Sequence, residues 1–168
     1  TAGESEAAGF FGPELKMAGF DAIVIKGKAE KPVYLWITEG KAEIRDATTL
    51  AHLETHEAQE AIRQELGSNK IRIAQAGPAG MKLVRFANVG NNLAHCNGRN
   101  GFGALMGSKN LRAVAALGTQ KIQFADSAYL IETAKRVAKT FMEDPQGKVL
   151  HIYGTTATAE ALSGVGGL

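Results

Sequence analysis

Thirteen residues constrain this chain more than any others. They read Asn97-Gly98-Arg99-Asn100-Gly101-Phe102-Gly103-Ala104-Leu105-Met106-Gly107-Ser108-Lys109, four glycines with an arginine and a lysine ahead of an apolar run. Glycine lets backbone N–H groups approach a ligand with no side chain in the way. Arginine recognises phosphate with a forked pair of donors. One reading is an anion-binding loop. The other is a glycine-rich crossover with solvated basic residues. The spacing is neither that of a Walker loop nor that of a dinucleotide-binding turn. The block belongs to a wider bias, 20 glycines in 168 residues, against a norm of about 7%.

The length suits one domain with a second piece attached. It suffices to bury about 70% of the unfolded surface without a disulfide or metal staple. The single cysteine, Cys96, excludes an internal disulfide framework, a cysteine-rich zinc site and a self-contained four-thiolate cluster. The net charge of +2, with both signs interspersed, argues against a basic nucleic-acid stripe. No apolar run approaches the roughly 18 residues that cross a bilayer. The opening residues have neither the basic region nor the apolar core of a signal peptide. Together with the lack of disulfides this points to the cytoplasm. Thr1 in place of an initiator methionine, and an end on glycine and apolar residues, give the expectation of a fragment of a longer protein.

Along the chain, residues 10–20 read as a turn and a short helix, with Pro13 suited to a first turn and Gly19 to its end. Strands are expected at Ala22–Lys26, Val33–Thr38 and Ala42–Arg45, the last two joined by a turn at Glu39-Gly40. Val33–Thr38 is apolar on both faces, so it should be covered on both sides. A helix over Glu54–Leu66 follows, capped by Thr55 and closed by Gly67. Further strands are read at Ile71–Ala74, Leu83–Val89 and Leu111–Leu117, with Gly77–Gly80 as a tight connection. Asp126 caps a helix to about Met142, whose apolar stripe is Leu130, Ala134, Val137, Ala138 and Phe141. Asp144-Pro145 stops it, and a last helix begins near Thr155. The order predicts an α+β fold. Mostly antiparallel sheet layers carry interspersed helices, with a suspected internal duplication, and the start of an all-α domain follows. The expected boundary divides 1–120 from 121–168.

Other candidate residues carry less. Ala7 to Lys16, small residues before Phe10 and Phe11, reads either as an anion-facing helix entry or as an ordinary helix start with core aromatics. His52 and His56 have metal-ligand spacing but no third ligand. His95 and Cys96 adjoin the glycine block, yet adjacent residues rarely form a nucleophile–base pair. Asp21, Glu43 and Asp46 read as solvated charges.

Four blocks carry a resemblance. They are Gly9-Phe10-Phe11-Gly12-Pro13-Glu14-Leu15-Lys16 through Ile25, Lys31–Ile37 with Glu43–Ala47, Gly77–Gly80 with Val84–Ala87, and Gly98–Ala113. In order and spacing they resemble the N-terminal domain of the aldehyde ferredoxin oxidoreductases, over about residues 9–118. The resemblance implies a tungsten- or molybdenum-dependent oxidoreductase with a bis-pterin cofactor, magnesium bridging the pterin phosphates, and a [4Fe–4S] cluster whose ligands lie outside this chain. It implies oxidation of aldehydes to carboxylic acids with ferredoxin as electron partner. This chain would form the pterin-bearing base, inactive alone and working with the rest of the same polypeptide. A homodimer is compatible with the resemblance; a nucleic acid or membrane partner is not expected.

Carried over by position, the resemblance implies cofactor contacts at Glu6, Ala8, Gly9, His95, Cys96, Gly98, Arg99 and Gly101. Magnesium would meet Glu6 and the backbone carbonyl of Cys96. Glu6 stands where the family has asparagine, and His95 where it has a phosphate-binding arginine. These departures keep two alternatives open: a divergent pterin-binding or assembly subunit without catalysis, and a relative of the benzoyl-CoA-reducing branch.

Overall fold

A computed structural model describes residues 2–167. It forms two compact units, residues up to 122 and residues from 123. In the first unit the elements run α1 (Phe11–Met17), β1 (Val33–Thr38), β2 (Lys41–Asp46), α2 (Thr55–Leu66), β3 (Arg72–Ala76), α3 (Pro78–Met81), β4 (Val89–Asn91), β5 (His95–Asn97), α4 (Phe102–Ser108) and β6 (Leu111–Leu117). All six strands join one sheet in the order β2-β1-β6-β3-β4-β5. Four of its five pairings are antiparallel, and β1 with β6 is the parallel one. The α+β class stands, as a mixed sheet between helices.

Alternation sorts the strand residues onto two cores. Tyr34, Trp36, Ile73, Ala113 and Ala115 turn one way and pack with Ile62 of α2, Ala47 and Leu50. Ile37, Val114 and Ala116 turn the other way, against Leu15 and Ala18 at α1. The strand at Val33–Thr38 is therefore covered on both faces, as its sequence predicts. The α2 helix begins one residue earlier in its capping than expected. The cap is Glu54, whose N–H donates to the Glu57 carboxylate at 3.1 Å, and Thr55 is already helical.

Two expected strands are absent. Ala22–Lys26 has no place in the sheet; it runs as an extended strap against the α1 face, with Ile23 packed on that core. Leu83–Val89 turns instead, because Leu83 takes φ +61° and Val84 N–H donates back to Ala79 at 2.9 Å. Only Val89 enters a strand. Gly77–Gly80 is not merely a connection: Pro78 starts the one-turn helix α3. The glycine block, read as loop, contains the seven-residue helix α4.

In the second unit α5 spans Ser127–Phe141, and Asp126 Oδ1 accepts from Tyr129 N–H at 2.9 Å as the cap. Asp144 accepts from Gly147 N–H and Pro145 opens α6 (Pro145–Tyr153), so the Asp-Pro pair that ends one helix starts another. A 3-10 turn at Gly154–Thr158 leads to α7 (Ala159–Gly164). Leu130, Val137 and Phe141 of the expected stripe are exposed. Among the described residues no helix is long and apolar enough to cross a membrane.

Candidate cofactor-binding site

The site is built where residues 3–9 lie along β5 and the loop after it. Three contacts fix this. Asn97 Nδ2 donates to the Ser5 carbonyl at 2.7 Å. Arg99 N–H donates to Ser5 Oγ at 3.2 Å. Asn100 Nδ2 donates to the Glu4 carbonyl. Asn97 is itself held by Asn91 of β4, Nδ2 to Oδ1 at 2.9 Å. Short polar amides of this kind tie loops to backbone. Nearby, the Arg72 guanidinium sits 4.9 Å from the centroid of the Phe10 ring, a cation–π contact at the entry to α1.

Gly9 explains its own residue type. Its φ is +107°, and a Cβ there would lie 2.7 Å from His95 Cδ2. Bare backbone at Gly9 thus packs directly against the His95 imidazole, and both residues are exposed. The two segments quoted for the resemblance, far apart in sequence, meet here.

The strand pairing separates His95 from its neighbour. Asn91 pairs with His95 and Ala74, whereas Gly90 pairs with Cys96 and Gln75. Partners across a ladder share a face. Gln75 points to α2, where its Nε2 donates to the Thr55 carbonyl at 2.8 Å. Cys96 shares that side and lines a cleft of about 340 Å³ with Thr55, His56 and Asn88. So Gly9, His95 and Asn97 stand on one face and the free Cys96 thiol on the other.

The glycines divide by job. Gly98 is open at its Cα, with nothing within 4 Å of a built Cβ. A Cβ at Gly101, Gly103 or Gly107 would collide with backbone of Arg85, Asn88 or Gly80. The Gly103 N–H is also committed, to the Ala87 carbonyl at 2.9 Å. These three serve close packing of α4 on residues 80–88. The expected backbone cradle therefore narrows to Gly98 and Arg99, with Gly101 setting the turn into α4 from a left-handed conformation.

Glu6, Ala8, Gly9, His95, Cys96, Gly98 and Arg99 are all exposed. Among the described residues no group of three or more His, Cys, Asp or Glu could hold a metal ion. A magnesium ion at Glu6 would therefore take most of its ligands from elsewhere. That suits its habit of binding one or two carboxylates together with phosphate oxygens and water. Sequence reasoning missed Ser5, Asn91, Asn97 and Asn100, which hold the two segments together. The signal was present in the crowding of asparagine beside glycine from Asn91 to Asn100.

Comparison with known proteins identifies the family. Residues 1–118 match the family model for the aldehyde ferredoxin oxidoreductase N-terminal domain. The chain is 42% identical over 160 residues to a tungsten-containing aldehyde ferredoxin oxidoreductase of Pyrococcus furiosus and 41% identical to that of Thermococcus kodakarensis. Each match covers 95% of this chain and 26% of the relative, so the chain spans about a quarter of their length. An aliphatic sulfonate oxidoreductase, WOR-like subunit, of Pyrococcus furiosus is 36% identical over 93% of this chain and 25% of its own. Among solved structures, the active-site complex BamBC of benzoyl coenzyme A reductase with 1,5-dienoyl-CoA matches with a TM-score of 0.79. It is 36% identical and covers 83% of this chain and 21% of that one. By its sequence blocks, its fold and these matches, the chain belongs to the aldehyde ferredoxin oxidoreductase family.

Proposed function

We propose that this chain forms the floor carrying the phosphate-bearing pterins of a tungsten or molybdenum oxidoreductase. The reaction is oxidation of an aldehyde with water to a carboxylic acid, releasing two protons and two electrons. A [4Fe–4S] cluster held outside this chain would carry the electrons to ferredoxin. The observation that supports the reading is the docking of residues 3–9 on β5 and its loop. It brings exposed Gly9 against His95, and Ser5, the neighbour of exposed Glu6, against the backbone of Arg99.

The residues fit the group in kind. Gly9 lets the chain lie directly against the His95 ring, where a Cβ would collide with Cδ2. Arg99, fixed at its backbone by Ser5, offers forked donors to a phosphate. His95 offers a ring N–H, and Glu6 a hard oxygen of the type magnesium accepts. Ala8 and Gly98 keep side chains away, and the Cys96 carbonyl is the second candidate oxygen for the cation. When bound, the bis-pterin metal supplies the two-electron chemistry. This chain's residues bind and orient it; none of them is assigned a proton-transfer step.

The test uses the full-length protein. Arg99→Ala is expected to lower tungsten or molybdenum and pterin content together by ~10-fold or more, since bonds to a charged donor are worth roughly 1.5–3 kcal/mol. Metal analysis showing unchanged occupancy in a folded variant overturns the reading.

A second reading concerns the substrate. The likeness to the benzoyl coenzyme A reductase complex favours a cyclic dienoyl-CoA as the alternative to an aldehyde. Turnover of the loaded protein with each compound separates the two. Metal-free protein with full pterin-independent folding would instead favour the assembly-subunit role.

A further inference from the structure

Two anchors seat the segment ahead of α1 on β5. Asn97 Nδ2 donates to the Ser5 carbonyl at 2.7 Å, and Gly9 lies against the His95 ring. His95 and Asn97 are two apart on β5 and share a face. Two strand steps span about 6.7 Å, whereas four steps of extended chain, Ser5 to Gly9, reach about 13 Å. Glu6, Ala7 and Ala8 therefore cannot lie straight along β5. They arch between the anchors, and all three are exposed.

Asn97 holds the foot of the arch beside Glu6. We infer, on the function proposed above, that Asn97 is a positioning residue for the phosphate-bearing cofactor. Through Ser5 it sets where Glu6 and Arg99 stand relative to each other.

The sense of each bond is fixed. A carbonyl only accepts, so the Ser5 oxygen requires the amide N–H of Asn97. That turns Asn97 Oδ1 toward β4, where Asn91 Nδ2 donates to it at 2.9 Å. Asn91 pairs with His95 across the ladder, which makes it a diagonal neighbour of Asn97 on the same face. Asn91 is buried, at 5% exposure, and Asn97 is half-buried. A buried amide thus orients a half-buried one, and that one holds the backbone of the arch.

The same foot is bonded twice more. Arg99 N–H donates to Ser5 Oγ at 3.2 Å, and Asn100 Nδ2 donates to the Glu4 carbonyl. Ser5 thereby joins the backbone of Arg99 to the residue before Glu6. The ion pairs of the described residues include neither Glu6 nor Arg99. Bonds to backbone, not attraction between these two charges, hold the segments together. They leave a carboxylate for a cation and a guanidinium for a phosphate.

The experiment reads two quantities on the full-length protein. One is tungsten or molybdenum content together with pterin. The other is hydrogen exchange at the Arg99 amide, which Ser5 Oγ holds while the segment is docked. Asn97→Asp keeps the shape and the acceptor for Asn91 but sets an oxygen against the Ser5 carbonyl. It should speed exchange at Arg99, leave β1 and β6 protected, and lower metal and pterin content at least ~5-fold. Asn97→Gln keeps the donor on a longer stem and should retain more cofactor than Asn97→Asp. Ser5→Ala changes a residue outside the sheet and should keep the fold. It removes the acceptor of Arg99 N–H and should lower content in the same direction. Unchanged exchange at Arg99 in Asn97→Asp, unchanged content in Asn97→Asp or Ser5→Ala, or Asn97→Gln no better than Asn97→Asp overturns the inference. With a loaded parent, each of these results leaves the proposed function standing. A parent that carries no pterin overturns both.

Discussion

Arg112 is the largest fully buried side chain of the molecule. Sequence placed it in strand β6, where an arginine between apolar neighbours has no obvious partner. The structure supplies the reason through a bulge. Leu111 pairs with Val33 but Ala113 pairs with Tyr34, leaving Arg112 as the extra residue. A bulge turns a side chain out of the regular alternation. Arg112 thereby reaches the α2 side. It donates to the carbonyls of Leu50 and Leu53 at 3.0 Å, to Gln75 Oε1 at 2.9 Å and to the Ala76 carbonyl. Burial lowers its pKa to about 10, opposed by the charge of Glu54. Replacing it with methionine orphans these acceptors in the core. Arg112→Met should cost on the order of 3 kcal/mol, because each unsatisfied buried group costs ~1–3 kcal/mol. Urea unfolding would show a lower midpoint at unchanged slope. Arg112→Lys should recover little, since a point charge cannot reproduce the fork. A midpoint equal to the parent's contradicts this account.

Elements with long, regular patterns were legible: α2, α5 and the strands β1 and β6 lie where periodicity puts them. The hairpin turn was legible too, because Glu39-Gly40 is short and punctuated. Three-residue strands such as β4 and β5 offer too few positions for alternation to register. The strap at 22–26 has strand residues but is held by burial of Ile23, not by a ladder. The glycine block misled for a different reason. Glycine disfavours a free helix by about 1 kcal/mol per residue relative to alanine, yet α4 forms because packing on α3 demands bare backbone. Gly107→Ala tests this: a Cβ there collides with Gly80 backbone. It should destabilise by ~1–3 kcal/mol, whereas Gly98→Ala, in open space, should leave the melting midpoint nearly unchanged. Equal midpoints for the two variants would contradict the division of the glycines.

For the whole molecule, the candidate site was legible as two short blocks but not as a place. Sequence quoted both segments and could not say that they touch, since the contacts are long-range amide-to-backbone bonds with no periodic signature. Stability against alkali is likewise a property of the assembled fold. Tyr34 is buried and donates to Glu65 Oε1 at 2.7 Å. Burial first, then Glu65, raises its pKa from 10.0 to about 12. The unfolded chain releases this proton earlier than the folded one. The contribution is therefore complete below pH 10 and is lost as pH rises toward 12. Unfolding free energy should fall across that window, and Tyr34→Phe should flatten the fall. An unaltered slope in the variant would remove Tyr34 from the explanation.

The opposed directions of His95 and Cys96 have a practical consequence. Neighbours in sequence, they open onto different sides of a one-residue-thick wall. The exposed Cys96 thiol is thus a labelling handle on that side. A probe attached to it reports from the α2 side, behind the surface on which the phosphate groups would rest. Loading of one side can be followed from the other without a reagent ever entering it.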